Sequence, residues 1–495
     1  MSKVGRWSTT ANNNNATPPD GWPEGQAPST VNDCAREMMA QIRTMLNDMS
    51  FIDLDHSPTQ TSSTTFTIPG NVVSFYDYGR RVKAFDATTL YGTVISSSFT
   101  TNTGITLRLD SGLLTSSLTS VAVSVLGSQN NALPDNVYRT KNAILNGQLN
   151  IWQRGAGPFA VNGSAVSAVT ADRFTLNNNS SASINASRAE RSANASNVPT
   201  LAQTGLFITN SLVISVSAVD AAIGASDYAY LAYTMEGYDW RQIAHKPLTC
   251  SFWVNSNRTG TYCLTMRNGS IDRCAVFEYS ISAISTWEKK VFTIPEPPTA
   301  GTWDYSTGAG LFVNFVLAAG SSKQITNAGA WTAQSALATS NQTNFLASAG
   351  HTIKFADFRL YEGVGERPIN IETIEDEYSR CQRYYNRIED TAGGLGYLGM
   401  AASTTDGYFQ FEFPVTMRTT PTISANVADG AAVFAVANTG GATISVSAIG
   451  STKITPSRAI ILFRQVAAGN LTSGTGVWLS IASGGYIELT AEMGS

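Results

Sequence analysis

The chain has 495 residues and a formal net charge of −4 at pH 7, and it is too long for a single hydrophobic core, which stops growing near ~250 residues. Only 14% of its residues are charged, against about 25% in ordinary soluble domains. No run of Lys or Arg supplies the positive surface that binds phosphate backbones, so we expect no nucleic-acid partner. The Ser, Thr, Asn and Gly that take the place of charged residues are typical of β assemblies, and they predict a mainly β, multi-domain protein.

The opening residues MSKVGRWSTTANNNN lack the apolar core of a secretory signal, and no segment has the ~18 uninterrupted apolar residues of a membrane span. We therefore expect synthesis in the cytoplasm and no membrane insertion. The cysteines are odd in number and have no CxxC spacing, so the sequence predicts buried reduced thiols and no metal site or cofactor. They are Cys34, Cys250, Cys263, Cys274 and Cys381.

Residues 1–50 divide into a polar arm and a helix. The first 28 residues are rich in Asn and Pro, which disfavour both helix and strand, while Trp7 and Trp22 suit a partner's pocket and predict a docking peptide. From about Ser29 to Met49 the apolar residues follow the three–four spacing of a coiled coil that self-associates in parallel. A lone amphipathic helix packed on its own domain is the alternative. The predicted seam is Val31, Ala35, Met38, Ile42, Met45 and Met49.

Alternating patterns dominate the next three hundred or so residues. Period-two runs broken by Gly, Asn and Asp predict a small antiparallel β domain over residues 51–130, and a Gly-punctuated segment over residues 131–150 is predicted to be a linker. Over residues 151–366 repeated strands without helical stretches predict a two-sheet sandwich or jelly roll.

The segment over residues 367–390 returns to helical periodicity. Acidic residues load its first half and arginines its second half, as the helix dipole favours. Its apolar positions form a second possible seam, compatible with a trimer. They are Ile371, Ile374, Tyr378, Cys381, Tyr385 and Ile388. After Gly393-Gly394, residues 391–495 predict a C-terminal β head domain.

Aromatic rings beside amides or carboxylates are the side chains that sugar binding requires, because a flat ring covers an apolar sugar face while the polar groups satisfy the hydroxyls. The chain offers Tyr238-Asp239-Trp240, Trp303-Asp304-Tyr305 and Trp253. For each aromatic the alternative is a place in the sandwich core or a trimer interface. Receptor contact through the Gly-rich loop tips of residues 391–495, such as Gly440-Gly441 and Ser483-Gly-Gly485, is a distal alternative.

Sequence signals of an enzyme are absent. There is no G-x-S-x-G elbow, P-loop or HExxH, and the three histidines are scattered. Carboxylates can still form a glycosidase pair, since the two groups need only lie ~5–10 Å apart in space. The absence of a short β-helix repeat weighs against a depolymerase. The candidate carboxylates are Asp239, Asp272, Glu278 and Asp304.

Three stretches resemble bacteriophage tail-fibre proteins. The string GWPEGQAPSTVNDCAREMMAQIRTMLND resembles the attachment arm and helix of such fibres. The stretch MEGYDW…LTCSFWVNSNRTGTYCLTMRNGSIDR resembles the carbohydrate-binding-module-like jelly roll of phage tail proteins, and EDEYSRCQRYYNRI resembles the helix that closes it. The chain departs at FRLYEGVGERP, where related jelly rolls tend to read QLE, so the join to the helix is expected to differ.

The resemblance covers most of residues 1–390 and implies a non-enzymatic, trimeric fibre located on the virion tail and assembled in the host cytoplasm. It implies docking of the N-terminal arm onto a tail adaptor, nozzle or baseplate protein. It also implies distal binding to a host surface polysaccharide or lipopolysaccharide, without identifying which one. A purely structural fibre, adaptor or head-fibre protein and a polysaccharide depolymerase remain as alternatives.

Overall fold

The computed structural model describes residues 51–124, 140–366, 369–389, 395–426, 434–438, 443–465, 471–482 and 484–493. The predicted arm with Trp7 and Trp22, the first seam, and residues 131–139 of the predicted linker lie outside these ranges, as do Gly440-Gly441 and Ser483. The described chain is mainly β, which confirms the predicted fold class. It divides into two units, Met1–Arg139 and Thr140–Ser495. No helix in the described ranges is long and apolar enough to cross a membrane.

The described part of the first unit is a seven-stranded antiparallel sheet with the strand order β1-β7-β4-β5-β6-β3-β2. Alternate residues point into one core; Phe66 and Ile68 of β3, for example, are buried between half-exposed threonines. The strands are β1 (Phe51–Asp53), β2 (Thr59–Gln60), β3 (Thr65–Pro69), β4 (Arg81–Phe85), β5 (Thr89–Phe99), β6 (Asn102–Leu109) and β7 (Ser120–Ser124), with a 3₁₀ turn at Val73–Phe75.

The second unit begins with a sandwich of two antiparallel sheets. Its strands are β8 (Thr140–Lys141), β9 (Phe159–Asn162), β10 (Val166–Val169), β11 (Phe174–Asn179), β12 (Ser183–Glu190), β13 (Asn210–Ala218), β14 (Tyr228–Glu236), β15 (Leu248–Ser256), β16 (Gly260–Asn268), β17 (Cys274–Ile281), β18 (Glu288–Ile294), β19 (Ala309–Ala319), β20 (Gln324–Ile325), β21 (Trp331–Thr332), β22 (Ala338–Thr339), β23 (Thr352–Glu362) and β24 (Ile369–Asn370). Helices α1 (Leu201–Thr204) and α2 (Gly237–Ile243) interrupt them, with 3₁₀ turns at Ala195–Asn197, Ser321–Lys323 and Phe345–Ala347.

The seven-stranded sheet has the order β10-β11-β14-β19-β16-β17-β21, and the six-stranded sheet the order β18-β15-β23-β13-β12-β9. The short strands β8 and β24, and β20 and β22, form two separate parallel pairs. Phe315 of the first sheet packs against Phe252 and Phe358 of the second, with ring centroids 4.9 and 4.8 Å apart. The two sheets therefore share one aromatic core. Ile144 and Leu149 are also buried in that core, so residues 140–150 belong to the sandwich and their assignment to a linker was wrong.

A barrel follows the sandwich. Strands β26-β27-β31-β30-β29-β32 close on themselves, and a small sheet β25-β33-β28 packs beside them. The elements are α3 (Ile374–Gln382), β25 (Tyr385–Glu389), β26 (Leu395–Ala401), β27 (Asp406–Glu412), β28 (Thr422–Ala425), β29 (Phe434–Asn438), β30 (Thr443–Ile454), β31 (Arg458–Gln465), β32 (Gly476–Ile481) and β33 (Tyr486–Thr490).

The helix predicted over residues 367–390 ends earlier than expected. Helix α3 begins after Thr373, whose hydroxyl caps it by accepting the Asp376 amide at 3.2 Å. Beyond Gln382 the chain leaves the helix, and β25 pairs with β33 far along the chain. The prediction was wrong for the second half because this strand pairing satisfies the backbone and buries Tyr385, which outweighs local helix propensity.

The second predicted seam is split by this change. Its first members, Ile371, Ile374 and Tyr378, are between 39% and 49% exposed. Its last three members lie inside the chain's own cores, two of them buried and one packed against the barrel, so the prediction of a continuous seam was wrong. They are Cys381, Tyr385 and Ile388.

The sandwich and the barrel meet at a buried ion pair. Arg173, in the turn before β11, pairs with Glu492, just after β33, and its guanidinium carbon lies 3.6 Å from the centre of the Tyr384 ring. Arg154 lies 3.5 Å from the second Glu492 oxygen. Met493 continues into the sandwich core. These contacts hold the barrel and the sandwich together as one unit.

All four described cysteines are buried and free, as predicted. Burial raises the pKa of the Cys250 thiol to about 12, and mainly burial raises that of Cys263 to about 11. Because the thiolate is the reactive form, we expect iodoacetamide at pH 8 to leave both unmodified in the folded protein and to label both in urea, as read by peptide mass spectrometry. Labelling of Cys250 at equal rates in both states would contradict this burial.

Candidate functional site

Aromatic side chains gather at one end of the sandwich, where α2 meets the loop before β19. We call this cluster the aromatic end. Two of its members, His245 and Trp331, were not predicted, because neither lies in a local aromatic motif and tertiary contacts bring them to the others. The aromatic end consists of Tyr238, Trp240, His245, Trp303, Tyr305 and Trp331.

Backbone hydrogen bonds fix the two predicted motifs beside each other. The amides of Gly237 and Tyr238 donate to the carbonyls of Gly308 and Ser306 at 2.9 and 2.8 Å. The Asp304 carboxylate closes the facing turn by accepting the amides of Ser306 and Gly308 at 2.7 and 3.2 Å. A Cβ on Gly237 would lie 2.5 Å from an Asp304 carboxylate oxygen, so this close approach requires glycine. The structure thus brings Tyr238 and Tyr305 into neighbouring segments.

Trp240 is the floor of the cluster. It is fully buried and stacks on Trp303, with ring centroids 5.1 Å apart and planes 19° apart. Trp331 meets the Trp303 ring edge-on at 5.7 Å. Trp240 is therefore a core residue, and its prediction as a direct sugar contact was wrong, because the α2 backbone turns its side chain inward.

The two tyrosines form the solvent-facing part of the cluster. Tyr238 and Tyr305 are 40% and 41% exposed. The Tyr305 hydroxyl lies 2.7 Å from His245 Nε2, while His245 Nδ1 lies 2.9 Å from the Pro297 carbonyl, which can only accept. Nδ1 of His245 is therefore a donor, and in the neutral imidazole Nε2 accepts from the Tyr305 hydroxyl. Partial burial raises the pKa of Tyr305, which keeps this hydroxyl protonated.

Charged groups border these rings. The Arg241 guanidinium carbon lies 4.8 Å from the centre of the Tyr238 ring, and the partly exposed Asp239 precedes Trp240 on α2. Exposed aromatic rings beside hydrogen-bonding groups on rigid backbone are the chemistry that an oligosaccharide needs. The aromatic end is therefore our candidate functional site, with Tyr238 and Tyr305 as its contact surfaces.

Trp253 lies away from this site and is buried. It packs with Trp287 and Ala356 on the side of the six-stranded sheet that faces away from the main core, beneath the segment containing Val198 and Ile208. The alternating pattern correctly predicted strand β15, with Trp253 on the side opposite the main core. That side of the sheet is covered by other segments, so the prediction of Trp253 as a sugar contact was wrong.

The four candidate carboxylates have local bonding partners or neighbours. Asp304 caps its turn, and Glu278 accepts hydrogen bonds from the Thr339 hydroxyl and, at 3.1 Å, from the Asn341 amide. Asp272 accepts from Asn268 at 2.5 Å, and this bond lowers the pKa of the Asp272 carboxyl. A general acid at neutral pH requires the opposite shift. Asp239 borders the aromatic end.

A separate groove, partly open to solvent, lies between residues 142–150 and α3. Its polar groups hold the fold together: Asn142 donates to the Phe358 carbonyl at 2.9 Å, and Glu377 accepts the Asn146 amide at 2.8 Å. Mainly burial raises the pKa of Glu377. None of the residues lining the groove is aromatic, so it lacks the stacking surfaces of the aromatic end.

No protein-family model matches the chain, and no curated protein matches it. Among solved structures, tailspike protein 4 of bacteriophage CBA120 (its enzymatically active domain) is 15% identical over 38% of this chain and 19% of that chain, with a TM-score of 0.22. The chain therefore matches about a fifth of that structure's length. A family 11 carbohydrate-binding module from Clostridium thermocellum is 13% identical over 43% of this chain and 97% of that one, with a TM-score of 0.23. A third, a family 61 carbohydrate-binding module in complex with β-1,4-galactotriose, is 10% identical over 38% of this chain and 88% of that one, with a TM-score of 0.21.

Proposed function

We propose that the chain is a non-enzymatic subunit of a bacteriophage tail fibre that binds a host cell-surface glycan. The observation that carries the binding role is the aromatic end, where Tyr238 and Tyr305 present exposed rings on backbone locked by hydrogen bonds. A rigid aromatic pair binds a flat sugar ring at low cost in conformational entropy. The virion role rests on the sequence likeness of the arm, the sandwich and the closing segment to tail-fibre proteins.

Binding without catalysis is supported by the bonding of three of the four candidate carboxylates, Asp304, Glu278 and Asp272. Asp304 and Glu278 each accept two or more hydrogen bonds from neighbouring groups, and the pKa of Asp272 is lowered. A retaining or inverting glycosidase needs one carboxyl held protonated near neutral pH. We propose that this chain recognises its glycan and leaves the bonds intact.

Assembly as a homotrimer on the virion tail, with docking through residues 1–28 onto a tail adaptor, nozzle or baseplate protein, completes the proposal. The exposed apolar side chains of Ile371 and Ile374, at 46% and 49%, support self-association, because both line the same groove and neighbouring exposed apolar side chains are typical of contact surfaces.

A purely structural fibre or adaptor is the second candidate, and one observation favours it. Two of the predicted sugar contacts, Trp240 and Trp253, are core residues, as every aromatic would be in a connector that binds no glycan.

The test combines a glycan array of bacterial surface polysaccharides with light scattering of the full-length protein. We expect a mass near three chains and saturable binding. The double variant Tyr238→Ala, Tyr305→Ala should bind at least tenfold more weakly, since removing an interface aromatic commonly costs over 1 kcal/mol.

The matched control is Phe207→Ala, which removes a 68% exposed ring that lies against Arg191 on another part of the sandwich. It should bind as the parent does. A trimer that binds no glycan would favour the structural connector, and release of reducing ends from a bound polysaccharide would establish a depolymerase instead.

A further inference from the structure

One buried arginine of the sandwich has no acidic partner among the described residues. Arg267 of β16 is 6% exposed, and its Nε atom makes no hydrogen bond there. The only hydrogen bond of its side chain to a described residue is a long one of 3.4 Å to the Tyr230 hydroxyl. The other two buried arginines, Arg173 and Arg359, each pair with a carboxylate, Arg359 with Asp357 at 2.6 Å. Arg267 therefore differs from both.

Arg267 lies on the side of the seven-stranded sheet that faces away from the main core. There its guanidinium carbon lies 5.4 Å from the ring centre of Tyr230 and 5.6 Å from that of Phe312. Asn314, on the same side of β19, is fully buried and its Oδ1 atom has no described partner. A guanidinium held between two rings keeps its hydrogen-bonding edge free, because cation–π contacts use the faces of the rings and not the N–H groups.

The aromatic surface continues from Arg267 toward solvent. Tyr228 is half-buried and stacks on Tyr230, with centroids 5.4 Å apart and planes 24° apart. The Lys323 ammonium lies 5.7 Å from the Tyr228 ring centre. The stacked rings of Tyr230 and Tyr228 thus lie between the buried Arg267 and the more exposed Lys323. Glu278 of β17 lies on the same side of the sheet but is too far away to pair with Arg267. It is four residues, or roughly 13 Å, along the strand from Cys274, the residue opposite Arg267.

We propose that Arg267 binds the negatively charged substituent of an acidic sugar, a uronate carboxylate or a phosphate group. The planar guanidinium fork matches both anions, and burial strengthens the contact because the local dielectric is low. The partly exposed Tyr228 supplies a face for the sugar ring, the buried Tyr230 holds the guanidinium in place, and Lys323 attracts the next charge along the polymer. The inference rests on the proposed glycan binding, which it narrows to acidic polysaccharides, and it assigns the charge recognition to a surface separate from the aromatic end.

The experiment uses the surface polysaccharide that the immobilised full-length protein retains from bacterial envelope extracts. It is tested intact, after chemical reduction of its carboxylates to alcohols, and after removal of its phosphates with hydrofluoric acid. We expect at least a tenfold loss of affinity on one of these treatments, and the treatment that causes it identifies the anion. Equal binding of all three forms would overturn the inference and leave glycan binding intact, whereas retention of no polysaccharide at all would overturn both.

The location is tested with Arg267→Gln, which should bind the intact polymer as weakly as the parent binds the treated one. Arg258→Gln is the matched control, because Arg258 is exposed in the turn before β16. This variant should bind the intact polymer more tightly than the treated polymer, as the parent does. If the melting temperature shows that Arg267→Gln is unfolded, hydrogen exchange of the parent decides. The intact polymer should slow amide exchange in β16 and β19 more than the treated polymer does, and equal exchange in these two strands with both polymers would overturn the assignment.

Discussion

Replacing Glu492 with Gln is expected to lower the free energy of unfolding of the Thr140–Ser495 unit by about 3–5 kcal/mol. The change keeps the shape of the side chain but leaves the buried guanidinium of Arg173 without its counter-charge. Burial alone would lower the pKa of Arg173, and the nearby charge of Glu492 reverses that effect and raises it. The loss should appear in urea unfolding followed by tryptophan fluorescence.

The control for Glu492→Gln is Glu190→Gln, which breaks the exposed pair with Arg188 on β12. Exposed pairs of this kind contribute about 0–1 kcal/mol. The double variant Arg173→Met, Glu492→Leu should recover part of the loss, since it removes the buried guanidinium of Arg173 together with its counter-charge. Equal stability of Glu492→Gln and Glu190→Gln would contradict the role given to this ion pair.

Replacing Trp240 with Ala is expected to cost about 3–5 kcal/mol of stability and also to abolish glycan binding at the aromatic end. Trp240 does not reach solvent, yet Trp303 stacks on it and His245 packs against its edge at 6.4 Å. Without this floor the segment that carries Tyr305 loses its support. Denaturant unfolding and the glycan array measure the two effects separately.

Trp253→Ala is a close control for Trp240→Ala, because it removes a second buried tryptophan from a different cluster. It should lose similar stability while its folded fraction binds glycan as the parent does. If Trp253→Ala lost binding and Trp240→Ala kept it, the candidate site would lie on the six-stranded sheet and not at the aromatic end.

Local pattern predicted the β architecture well, because alternation along a strand is written directly in neighbouring residues. The exposure of Tyr238 and Tyr305 also agrees with their polar surroundings in the sequence. The inward turn of Trp240 and the covering of Trp253 depend on segments distant in sequence, such as the one that places Val198 and Ile208 over the six-stranded sheet, and no local pattern carries that information.

The segment after the sandwich also shows that local sequence pattern does not determine tertiary contacts. Residues 385–389 continue the helical apolar spacing, yet they form β25 because β33 offers a partner edge. The special position of Arg267 was equally hidden, since the sequence gives no sign that a strand arginine would lack a carboxylate. Such features follow from tertiary contacts, which override propensity.

The ion pair between sandwich and barrel also sets an order of events during synthesis. Arg173 and Glu492 are 319 residues apart, and at about 5–20 residues per second the ribosome needs roughly 16–64 s to travel between them. From the synthesis of β23, the last long strand of the sandwich, until Glu492 is added, the nascent sandwich carries a guanidinium without its counter-charge where its barrel will later attach. A chain interrupted before β33 would keep this defect permanently, so aborted products should stay recognisable to chaperones and proteases and be kept out of assembly.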